Sequence, residues 1–139
     1  MKYMYRISIF ILSFAILSAC TTSLPSFSGV PISLSTSEIV LYETTNFQSG
    51  NLELVETFSA SEDITVFRNA ARSADRVDGV VDMAEPDYEV HFINEDGEVT
   101  DELFLWIGEE TGSMMDKDDT HTVYTLTESD ASAIQSLLE

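Results

Sequence analysis

The sequence predicts an α+β domain: a small two-layer sandwich, with a mostly antiparallel sheet of about five strands and two helices on one face. Three observations carry this expectation. About 100 residues follow an N-terminal segment of different composition, which is length for one modest core. Five short β-rich runs, at 38–43, 52–58, 88–93, 103–107 and 121–126, are interrupted by two segments of helical period. The connection Asn94-Glu95-Asp96-Gly97 is short enough for a hairpin, which only antiparallel neighbours can use.

Taken in order, Glu38 to Glu43 is a compact run of strand formers. Residues 46–51, NFQSGN, are turn chemistry. Leu52 to Phe58 alternates imperfectly and reads as a second strand. Ser59-Ala60-Ser61-Glu62 has capping-box spacing, and Ile64, Phe67, Ala71 and Ala74 then fall on one stripe. A helix is expected over about 60–76, stopped near Asp78-Gly79. Tyr88, Val90 and Phe92 alternate with Glu89, His91 and Ile93, as a half-buried strand does. Leu103 to Ile107 is apolar throughout, which fits a strand covered on both faces. Gly108 to Thr120, GEETGSMMDKDDT, reads as a long acidic loop. His121 to Leu126 is the last strand. Thr127-Glu128-Ser129-Asp130 opens a final helix, with acids suited to the positive end of its dipole and Ala131, Ile134, Leu137 and Leu138 as its apolar face.

Ahead of this domain, Lys2 and Arg6 precede an apolar run from Ile7 to Leu17. Eleven helical residues span about 16 Å, against a hydrocarbon core of about 30 Å. The run has the length and flanks of a secretory signal. Leu17-Ser18-Ala19-Cys20 resembles the lipobox of bacterial lipoproteins. That resemblance implies removal of residues 1–19 between Ala19 and Cys20, a diacylglycerol on the Cys20 sulfur, and a location on the extracytoplasmic face of the bacterial cell membrane. Cys20 is the one cysteine of the chain, so no internal disulfide can form. Residues 20–37 read as a tether, since nine of the 17 residues from Thr21 to Ser37 are Ser or Thr, two are Pro and none is charged. The acidic domain then runs over 38–139.

Loss of residues 1–19 takes away Lys2 and Arg6 and no acid. Four bases, Arg68, Arg72, Arg76 and Lys117, then face 25 acids, a balance of −21. Such a field repels phosphate backbones, so nucleic acid is excluded as a partner. It suits a surface exposed to high salt or alkaline medium, or one that gathers cations.

The segments DMAEPDYEVHF and LFLWIGEETGSMMDKDDTHTVYTLT, with the terminal Leu pair, resemble the YhfM-like domain of Gram-positive lipoproteins. The matching positions are Pro86, Asp87, Tyr88, Leu105, Trp106, Gly108, Gly112, Thr120, Thr122, Tyr124 and Leu126. The resemblance spans about 60–139. It implies a cell-surface domain and brings no catalytic residues with it.

Candidate sites follow from residue types. Asp116, Asp118 and Asp119, with Glu109, are hard oxygen donors of the kind Ca²⁺ takes, although Lys117 interrupts them and EF-hand spacing is absent. His91 and His121, with Asp118 or Asp119, hold the ligand types of a zinc site. Ser113, His121 and an Asp are the residue types of a hydrolase, without a nucleophile elbow. Arg68, Arg72 and Arg76 recur at i, i+4 and i+8 and offer a contact for an anion or acidic partner. The expected function is a non-enzymatic binding module on a lipid anchor, meeting an envelope protein or cell-wall component and needing no cofactor beyond its lipid. A Ca²⁺-binding surface domain is the alternative, and a hydrolase the third reading.

Overall fold

The computed structural model describes residues 28–44, 47 and 52–139. The expected export signal, the expected Ala19–Cys20 cleavage site, the expected lipidation site Cys20 and most of the expected turn at 46–51 lie outside the described residues. The elements are β1 (Thr36–Glu43), β2 (Glu53–Phe58), α1 (Ser61–Ser73), β3 (Asp75–Arg76), β4 (Tyr88–Asn94), β5 (Val99–Ile107), β6 (Gly112–Asp116), β7 (Val123–Thr125) and α2 (Glu128–Leu138). All strands join one sheet in the order β2-β1-β4-β5-β6-β7-β3, and every pairing is antiparallel.

This corrects the expected five-strand sandwich: the sheet has seven strands. The expected acidic loop at 108–120 contains β6, which pairs with β5 from Leu103↔Asp116 to Ile107↔Gly112. Gly112 is no turn glycine. A Cβ there would lie 2.8 Å from Leu126 and 3.0 Å from Ile107, so the residue is small because a strand packs close. The second missing strand, β3, has two residues and is too short to show a period.

Val90, Phe92, Leu103, Leu105 and Met114 point to the face that carries the helices, and meet Ile64, Phe67, Ala131 and Ile134 in one core. Ala70, Ala71 and Ala74, all fully buried, let α1 lie close to the sheet. Ser73 Oγ donates to Asp130 Oδ2 at 2.6 Å and ties α1 to α2. The expected capping box does not form, because the residue in the N-cap place is Ala60, which has no side-chain oxygen. Thr127 does cap α2, its Oγ1 accepting from Asp130 N at 3.1 Å.

Two features depart from the expected plan. Part of the expected tether is packed into the domain: Val30 is fully buried, and its N–H donates to Ala71 O at 2.8 Å. The connection from β3 to β4 also crosses the sheet face opposite the helices. There Val77 and Met83 pack on Phe104, Met115 and Val123, and Trp106 Nε1 donates to Ala84 O at 2.9 Å and Glu85 O at 3.0 Å.

Candidate functional site

Strand alternation sends every second side chain of β4, β5 and β6 away from the helices. On that outer face, His91 stands opposite Glu102, and Lys117 N–H donates to Glu102 O at 3.0 Å, so Lys117 follows in the next row. Glu89, two residues from His91 on the same face, is 1 % exposed. The four polar ends close into a ring. His91 Nε2 lies 2.7 Å from Glu89 Oε1 and 3.2 Å from Glu102 Oε1, and Lys117 Nζ donates to the same two oxygens.

The electrostatics follow from this ring. Burial alone would raise the Glu89 carboxyl, but hydrogen bonds from Lys117 and His91, with the charge of Lys117, outweigh it and hold the group below the ordinary carboxylate range. Burial alone would lower Lys117, but its bonds to Glu89 and Glu102 raise it above the ordinary ammonium range. Two carboxylates on Nε2 fix the imidazole with its proton there, and Nδ1 makes no hydrogen bond among the described residues. The Tyr42 ring packs on that imidazole, with centroids 4.8 Å apart.

The polar ring borders an apolar one. Phe104 stands opposite Glu89 on β5, and Met115 of β6 lies two residues before Lys117, which follows the strand. Phe47 meets Phe104 edge-on at 5.4 Å and Trp106 at 5.9 Å. Phe47, Val81, Met83, Met115 and Thr120 line a shallow cleft of about 290 Å³, near the lower limit of small-ligand clefts.

The residues expected to form sites are mostly dispersed. Glu109 follows β5, whereas Asp116 ends β6; a five-residue strand of about 16 Å separates them, too far to share one ion. The turn after β6 also uses its acids internally. Asp116 Oδ1 accepts from Asp118 N at 2.8 Å, and hydrogen bonds from the Thr122 side chain and His121 N hold the Asp119 carboxyl low. The groups that gather within 4.8 Å are Glu89, His91 and Glu102, without His121, Asp118 or Asp119. Ser113 sits between Trp106 and Thr125 in the sheet, so it is not joined to His121 in the exposed turn. Helix α1 ends at Ser73, so Arg76 lies on β3 rather than two turns above Arg68. Glu89, Glu102 and Lys117 were not among the expected site residues. Their signal was Lys117 as the one Lys of the acid-rich residues 20–139, with Glu89 and His91 at alternate positions of a strand.

Comparison with known proteins adds three findings. The family model described as YhfM protein matches residues 35–139. No curated protein matches the chain. The fold is similar to the crystal structure of a thioesterase-like protein from Clostridium sporogenes, with a TM-score of 0.59 at 14% identity, covering 77% of this chain and 97% of that one. The likeness shows a hot-dog-like fold, with one antiparallel sheet and a helix inserted between its first strands and the rest. It overturns the expectation of a non-enzymatic binding module: the architecture is one found in a protein described as thioesterase-like. The four residues of the expected Ca²⁺ set do not gather as a whole, since Glu109 lies a strand length from Asp116.

Proposed function

From the premise that the chain belongs to the YhfM family through residues 35–139, we propose that it is a hydrolase of short acyl esters or thioesters. The observation that carries the reading is the buried Glu89 carboxylate, 2.7 Å from His91 Nε2, in a polar ring whose Lys117 follows two residues after Met115 of the cleft wall. Glu89 and Glu102 hold the proton on Nε2, which leaves the Nδ1 lone pair to take a proton from water. The hydroxide so formed adds to the acyl carbon, and the thiolate or alkoxide leaves with that proton. Lys117, about a third exposed, offers a cation to the carbonyl oxygen as charge grows there. The 290 Å³ cleft suits an acyl group of a few carbons. The thioesterase-like description of the structural neighbour supports the same class of bond.

The test is a rate measurement on the full chain with p-nitrophenyl acetate, p-nitrophenyl butyrate and a short acyl thioester. His91→Gln is expected to lower kcat by about 10²–10³-fold with KM little changed, the range of a lost general base. Equal rates for the wild type and His91→Gln sink the reading.

The location is proposed with it: a lipid on Cys20 holds the domain at the extracytoplasmic face of the cell membrane. What supports this is the sequence, in the charged start, the apolar run and Leu17-Ser18-Ala19-Cys20.

A further inference from the structure

We propose that the ester cleaved at this site carries a positive charge on its leaving group: a short acyl chain joined to an ammonium-bearing alcohol or thiol. This rests on the hydrolase reading above and names its substrate.

The first argument is the charge around the cleft. Asp82 lies between Val81 and Met83 of the lining, Asp116 follows Met115, and Asp119 precedes Thr120. Adjoining Cα atoms are about 3.8 Å apart, so these carboxylates act on a bound ester from within about 10 Å, the Debye length at 0.1 M salt. Asp82 is exposed, and hydrogen bonds from the Thr122 side chain and His121 N hold Asp119 in its charged form. The bases do not cancel this rim. Lys117 is one ammonium bonded to two carboxylates, Glu89 and Glu102. The charge of Arg76 reaches Asp119, one acid of the three. Arg68 and Arg72 lie on α1, across the sheet. A cleft with apolar walls and one sign of charge at its rim draws in the opposite sign, and raises its association rate by about 10–10³-fold.

The second argument is aromatic. Phe47, 37 % exposed, lines the cleft and meets Trp106 at 5.9 Å. A partly open aromatic ring attracts an ammonium to its π face, and a quaternary ammonium needs no hydrogen-bond partner to be held there. The third is the product. Water added across the acyl bond gives a carboxylate, a proton and the free alcohol or thiol. The rim that drew the ester in repels the new carboxylate, so one field favours both entry and release. The same field opposes acyl groups on phosphate-bearing carriers, whose charge has the wrong sign.

The experiment uses the full chain and three small acetyl thioesters: acetylthiocholine, a cation; S-acetyl-N-acetylcysteamine, neutral; and S-acetylthioglycolate, an anion. Each kcat/KM is divided by the ester's rate of hydrolysis by hydroxide, which removes differences between the leaving groups. In about 10 mM salt, with a Debye length of about 30 Å, the cation is expected to exceed the anion about tenfold or more. In about 0.5 M NaCl, where charge is screened within a few ångström, the two are expected to agree within about twofold. Asp82 makes no hydrogen bond or ion pair among the described residues. Asp82→Lys is expected to lower kcat/KM for the cation and raise it for the anion, by about two- to threefold each in low salt. Damage to the fold would lower both, so the opposite signs read the field. A cation-to-anion ratio near one in low salt, a ratio that salt leaves unchanged, or the same response of both esters to Asp82→Lys overturns the substrate class and leaves the hydrolase reading standing. Absence of His91-dependent cleavage of the neutral thioester overturns the hydrolase reading and the substrate class together.

Discussion

A carboxylate with 1 % of its surface exposed must find donors, and Glu89 finds two. Its lowered value means that its contribution to stability is complete above the unfolded Glu value near 4.3 and is lost as pH falls through the folded one. The raised Lys117 acts in the opposite sense. Its contribution is complete below the unfolded Lys value near 10.4 and is lost as pH rises through the folded one. Lys117→Met is expected to cost about 2 kcal/mol in urea unfolding at neutral pH, less than a fully buried pair because Lys117 keeps solvent contact. Glu89→Gln in that background is expected to restore much of the loss; two additive losses would mean the residues are not coupled. These roles were only half legible in the sequence. Alternation puts Glu89 and His91 on the face away from the helices, which a half-buried strand turns to solvent. The connector from β3 to β4 covers part of it, and Lys117 and Glu102 close over Glu89 from other strands, which no pattern within β4 announces.

Both helices and the strands around Ile39, Leu54, Val90, Leu105 and Tyr124 were legible in outline, although α1 ends at Ser73, short of the expected 76, and gives way to β3. β6 was hidden because Gly112 and the neighbouring acids resemble loop composition, while Met114 and Met115 are buried on opposite faces, a pattern without alternation. Residues 28–34 were hidden in the same way, because Ser and Pro masked Val30 and Ile32, which both pack on the core. Gly29→Ala tests this docking. The atoms a new Cβ would meet are backbone and cannot swing aside, so a loss of about 1–3 kcal/mol is expected in thermal unfolding. An unchanged midpoint would show that the segment packs elsewhere.

For the whole molecule, a balance of −19 over 139 residues means self-repulsion that salt relieves. The melting temperature is expected to rise with NaCl, and CaCl₂ at equal ionic strength to add nothing further, since the acids of the β6–β7 turn are bound within it. A Ca²⁺-specific rise would reverse that assignment. The order of the sheet carries one more consequence. β3 leaves α1 early in the chain, yet its one neighbour is β7, about fifty residues later. That edge cannot close until β7 has been made. Non-local closure of this kind slows folding, and on a newly made chain this edge stays open until the fifty or so residues after β3 have been made.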